Sequence, residues 1–103
     1  MLKFLIKYKV NPQMMPSDPE ECVKLLQSMN ESMKVLMDSG DVLDFGEYCD
    51  GSGGYAIGQG DDITDLYVSL MQWWPYVEFD AKPVLTIDQV MRSTKALAEM
   101  KGK

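Results

Sequence analysis

The side chains that can carry proton chemistry are unevenly supplied in this chain of 103 residues, with sixteen Asp and Glu, ten Lys and Arg, five Tyr, two Cys and no His. The missing imidazole removes Ser-His-Asp and Cys-His nucleophile activation, His-ligated zinc and proximal-His haem. An acid or base must then be Asp, Glu, Lys, Tyr or Cys. The candidates for such work are Glu78 and Asp80, either of which would abstract a proton beside a carbonyl, with Lys7 or a tyrosine stabilising the oxyanion. Tyr8, Tyr48, Tyr55, Trp73 and Tyr76 are the candidates for the aromatic wall of a ligand cavity. Their plainer role is packing in a core or a dimer seam.

Other motifs are better explained by local structure. Gly51, Gly53 and Ala56 match G-x-G-x-x-A, but residues 55–59 alternate like a strand and open no helix for a pyrophosphate. A hairpin turn accounts for these glycines. Asp61, Asp62 and Asp65 invite a divalent cation, yet they sit where a helix begins and lack EF-hand spacing, so capping is the better account and no metal is expected. Cys22 and Cys49 are too few and too widely spaced for a CxxC motif, a zinc site or a disulfide scaffold. No cofactor motif is present.

The formal net charge of −6 argues against a duplex-binding face, which needs clustered Lys and Arg. The charge is also segregated. Residues 1–34 sum to +1, the stretch from Asp38 to Asp80 carries −10 with no basic residue, and residues 82–103 sum to +3. Lys3 and Lys7 interrupt what would be the apolar region of a signal peptide, and no apolar run reaches the ~18 residues of a membrane span. The expected location is cytoplasmic, without a membrane partner.

The elements that must position the candidates follow from periodicity. Leu2, Phe4, Ile6, Tyr8 and Val10 alternate with Lys3, Leu5, Lys7 and Lys9 as in a half-buried strand. Asp18, Pro19 and Glu21 read as a helix start, followed by Cys22, Leu25, Leu26, Met29, Met33, Leu36 and Met37 at helical spacing until Gly40. Residues 42–49 and 55–59 form a hairpin about the turn at residues 50–54. A second helix opens at Asp61 and Asp62, with Ile63, Leu66, Tyr67, Leu70, Met71 and Trp74 on a stripe that makes Trp74 a core residue; Pro75 ends it. Residues 76–82 alternate again, and Pro83 marks a strand end or an edge strand. Thr86 and Gln89 form a capping box for a last helix carrying Ile87, Val90, Met91, Leu97 and Met100.

The order β-α-β-β-α-β followed by an extra C-terminal helix predicts one α+β domain over residues 1–103, ferredoxin-like, with a four-stranded antiparallel sheet covered by helices on one face. If Phe4, Ile6, Val77 and Phe79 pack beneath the helices, the open face carries Lys3, Leu5, Lys7 and Lys9 beside Glu78, Asp80 and Lys82. Opposite charges there are expected to pair across the ladder.

The residues Gly53, Gly54, Tyr55, Ala56 and Ile57, then Asp61 and Asp62, then Trp73, Glu78 to Ala81 and Pro83 to Leu85 resemble an uncharacterised small-domain family of the dimeric α/β-barrel superfamily. The resemblance implies a homodimer whose two sheets face each other around a cavity. Relatives in that superfamily include muconolactone isomerase-like enzymes, cofactor-free monooxygenases, haem-dependent chlorite dismutases and ligand-sensing domains; the haem and His-dependent activities do not suit a chain without histidine. The leading expectation is a homodimeric module binding a small organic ligand in a cavity between or beside the sheets. The alternatives are an isomerase or cofactor-free monooxygenase, and an assembly subunit without ligand, in which the acidic middle and the weakly basic ends meet as complementary patches.

Overall fold

Alternation of apolar and polar residues produces four strands in the computed structural model, which describes residues 1–102. They are β1 (Leu2–Val10), β2 (Val42–Glu47), β3 (Gly53–Gly60) and β4 (Val77–Val84). The sheet is antiparallel in the order β2-β3-β1-β4, and its helices are α1 (Pro19–Ser39), α2 (Ile63–Met71) and α3 (Ile87–Lys101). The fold is therefore α+β and ferredoxin-like with an extra C-terminal helix, and β4 with Pro83 is an edge strand, where a missing N–H costs little. No helix among the described residues is long and apolar enough to cross a membrane.

Each helix starts where a side chain satisfies its free N–H groups. The Asp18 carboxylate accepts from the Glu21 N–H (3.3 Å), Asp62 accepts from that of Thr64 (2.9 Å), and Thr86 and Gln89 form a reciprocal capping box. Gly40, in the left-handed region at φ +86°, ends α1. In the β2–β3 turn, Gly51 takes φ +74°, and Asp50 accepts from the Ser52 N–H (2.9 Å) and hydroxyl (2.7 Å). Those bonds from Ser52 hold the Asp50 carboxyl below its usual range.

The core lies on the helix side of the sheet. Phe4, Ile6, Val42 and Ala56 are buried, with Met33, Leu36, Leu66, Leu70, Phe45, Phe79 and Ala81 packed against them. None of the three helices has a fully buried residue. The expectation that Trp74 is core is corrected, because α2 stops at Met71, short of Pro75, and Trp74 is 65% exposed. Only part of the predicted α2 stripe faces the sheet: Leu66 and Leu70 are half-buried, while Ile63, Tyr67 and Met71 are exposed.

The expected cross-strand ion pairs are also corrected. Lys7 stands opposite Asp80 and Lys9 opposite Glu78, yet the one ion pair among these residues runs along β4, from Lys82 Nζ to Asp80 Oδ2 at 3.9 Å. Long lysine side chains on an open face gain little from fixed pairing and lose rotamer freedom by it.

Candidate functional site

Alternation sends Phe4, Ile6 and Tyr8 of β1 to the helix face together with Ala56 and Gly58 of β3, their register partners being Gly58, Ala56 and Gly54. Small residues on β3 leave little side chain to fill the space above the sheet. Between α1 and α2 there remains a cleft of about 470 Å³. Phe4, Ile6, Ala56 and Gly58 form its floor, Met33 and Leu36 its α1 wall, and Leu66 and Leu70 its α2 wall, with Trp73 in the turn beyond α2.

The two ends of the cleft differ. At one end, exposed Asp41, Asp61, Asp62 and Asp65 border it. Two of these carboxylates have local hydrogen-bond partners: Asp62 caps α2, and Asp41 accepts from the Ser39 hydroxyl at 3.0 Å. Gln59 ties this end together, its side-chain amide donating to the Gly40 carbonyl at 2.8 Å. Among the described residues no group of three or more His, Cys, Asp or Glu is placed to hold a metal ion.

At the other end, Tyr8 lies with Trp73 and Phe79. Its ring stacks on Phe45 with centroids 5.9 Å apart and planes 7° from parallel. Its hydroxyl donates to Glu47 Oε1 at 3.4 Å, a long bond. Burial, reinforced by the Glu47 carboxylate, pushes the Tyr8 phenol up to about 12. Tyr8 is therefore a neutral hydroxyl at physiological pH and can donate or accept a hydrogen bond. Gly54 makes room for it, since a β-carbon there would stand 2.7 Å from the Tyr8 hydroxyl and collide with the Gly46 carbonyl.

Of the aromatic candidates, Tyr8 and Trp73 line the cleft and the other three do not. Tyr48 is half-exposed in the hairpin turn. Tyr76 is half-buried in the turn before β4, where its carbonyl accepts from the Asn11 N–H at 2.9 Å. Tyr55 is on the open face, and its hydroxyl donates to Asp44 Oδ2 at 2.9 Å, which raises its phenol above the ordinary value. The acid–base candidates lie on that open face too. Lys7 is in register with Tyr55 on one side and Asp80 on the other, and Glu78 faces Lys9. Lys7, Glu78 and Asp80 are exposed and separated from the cleft by the sheet itself. Cys22, half-buried, and Cys49, exposed, are both free thiols.

Sequence reasoning passed over Phe45 as the stacking partner of Tyr8 and Phe79 as a cleft residue. Alternation places Phe79 on the helix face, but nothing local indicates that this face stays incompletely covered.

Residues 2–98 match a family described as Domain of unknown function (DUF3303). The chain belongs to the DUF3303 family. The DUF3303 match spans all four strands, α1, α2 and most of α3, so the C-terminal helix is part of the family's domain. No curated protein shows significant similarity to this DUF3303 chain.

Proposed function

We propose that this DUF3303 domain is a small homodimeric binding module that holds a small organic ligand in the cleft between α1 and α2. The observation that carries the reading is the cleft itself. A concave space of about 470 Å³ over the core of a 103-residue domain gives a small molecule room to bind. The volume falls in the range of roughly 300–1,000 Å³ typical of small-molecule sites, and an apolar floor with a few polar groups is their usual lining. Tyr8 offers one orienting hydroxyl at the end bordered by Trp73 and Phe79. The carboxylates at the other end disfavour anions, so the fitting ligand has an apolar body and is neutral or cationic. The polar groups of the cleft include a neutral phenol, an amide and exposed carboxylates, a set suited to holding a ligand.

The test uses the neutral dye Nile red as an apolar probe. Saturable, blue-shifted fluorescence is expected with the unaltered chain. Ser69→Phe, which fills the cleft from α2, is expected to weaken dye binding at least tenfold while the circular dichroism spectrum is kept. Lack of saturable binding, or equal binding by Ser69→Phe, would overturn the reading.

A further inference from the structure

The helix layer includes one member with nothing to cover. Every residue of α3 except half-buried Gln89 is exposed, and none of its fifteen residues is buried. Its apolar residues Ile87, Val90, Met91, Leu97 and Met100 are between 42% and 72% exposed. The helix is well started all the same, for the Thr86 N–H donates to Gln89 Oε1 at 2.8 Å and the Gln89 N–H to the Thr86 hydroxyl at 3.2 Å. A lone helix of fifteen residues is marginal in water, and its apolar side normally supplies the stability by packing. Because α3 stands off, the chain measures 65 × 26 × 25 Å and has a radius of gyration of 17.5 Å, against about 13 Å for a compact domain of 100 residues.

A second unpartnered apolar surface exists on the same chain. α2 turns Leu66 and Leu70 to the cleft and leaves Ile63, Tyr67, Val68 and Met71 uncovered, continued by Trp74 in the turn beyond. These five side chains are 38% to 65% exposed. Spacing of four residues from Ile63 through Tyr67 to Met71 sets these three along one side. The two surfaces also differ in net charge. Asp61, Asp62 and Asp65 at the start of α2 give −3 with no basic residue in or beside the helix, whereas α3, with Arg92, Lys95 and Lys101 against Asp88 and Glu99, sums to +1.

We infer that α3 is an arm that docks on the exposed apolar side of α2 in a second copy of this chain, the two copies exchanging arms about a two-fold axis. The inference rests on the homodimeric part of the proposed function and names its surface. Two observations select this occupant. The donor and acceptor surfaces both belong to this chain, so a two-fold pair satisfies both at once. Their net charges are opposite in sign, −3 at the start of α2 and +1 on α3, which guides encounter. The capping box fixes the α3 start two residues past β4.

The experiment is sedimentation equilibrium on the full chain and two single variants, Leu97→Asp on the arm and Tyr67→Asp on the acceptor. Both residues are exposed, at 57% and 64%, so neither change disturbs the buried core. The unaltered chain is expected at twice its 11.7 kDa mass. Each variant is expected to dissociate with a constant raised at least tenfold while keeping the far-ultraviolet spectrum of a folded α+β domain. Mixing the two variants recreates one intact arm-to-acceptor contact, so the mixture is expected to recover a heterodimer at concentrations where each variant alone is monomeric. An unaltered chain that stays monomeric overturns both this inference and the homodimeric reading. A dimer insensitive to both substitutions overturns this surface alone, and a mixture that recovers nothing overturns the reciprocal exchange.

Discussion

The two faces of the sheet are made by alternate residues of the same strands, yet they present opposite chemistry. On the helix side, Phe4, Ile6 and Ala56 are buried and Tyr8 borders a cleft. On the open side, Lys7, Glu78 and Asp80 are exposed around half-buried Tyr55. Each face has a tyrosine whose hydroxyl donates to a carboxylate, Tyr8 to Glu47 and Tyr55 to Asp44. Both phenols are raised, but for different leading reasons: burial for Tyr8, and the Asp44 hydrogen bond for Tyr55. A residue's type therefore says less about its chemistry than the side of the pleat it occupies.

The largest test of that contrast removes a side chain from each face. Phe4→Ala is expected to cost about 3–5 kcal/mol in urea unfolding, because Phe4 is 2% exposed and its truncation leaves a void. Lys7→Ala, three residues along the same strand, is expected to stay within about 0.5 kcal/mol. Comparable losses from the two would erase the distinction between the faces.

A smaller effect is expected where the strands approach too closely for a side chain. Gly54→Ala forces a β-carbon against the Gly46 carbonyl and the Tyr8 ring. The resulting displacement is expected to cost about 1–3 kcal/mol and to perturb dye binding in the cleft. Unchanged stability and unchanged dye binding would show that Gly54 does not seat Tyr8.

The smallest effect concerns alkaline pH. A phenol whose folded pKa is raised favours the native state most fully below its unfolded value near 10, and that contribution is lost as pH climbs toward the folded value of about 12. Melting temperature is therefore expected to fall between pH 10 and 12, with ultraviolet titration showing the Tyr8 phenolate as a late step that Tyr8→Phe removes. A Tyr8→Phe variant with the same late step would assign it to another tyrosine.

Much of the fold was legible because its signals are local. Asp18, Asp62 and Thr86 mark helix starts through hydrogen bonds spanning two or three residues, and the alternation in β1 separates Phe4, Ile6 and Tyr8 from Lys3, Lys7 and Lys9. The site was legible only in part. Tyr8 and Trp73 were within reach as cleft residues, whereas Tyr48, Tyr55 and Tyr76 share their type and lie elsewhere. Trp74 shows why: it continues the α2 stripe in sequence, but the helix ends before reaching it.

The sequence by itself determined the order of elements, their caps, the two faces of each strand and the chemistry excluded by a lack of histidine. Those properties depend on neighbours a few residues apart, where periodicity and hydrogen-bond reach leave few choices. Only the tertiary structure decided that α1 and α2 leave a cleft over Ala56 and Gly58, that Tyr8 stacks on Phe45, and that α3 stands away from the sheet. Whether an apolar stripe is covered depends on how elements far apart in the chain pack together. Periodicity marks the stripe without naming its partner.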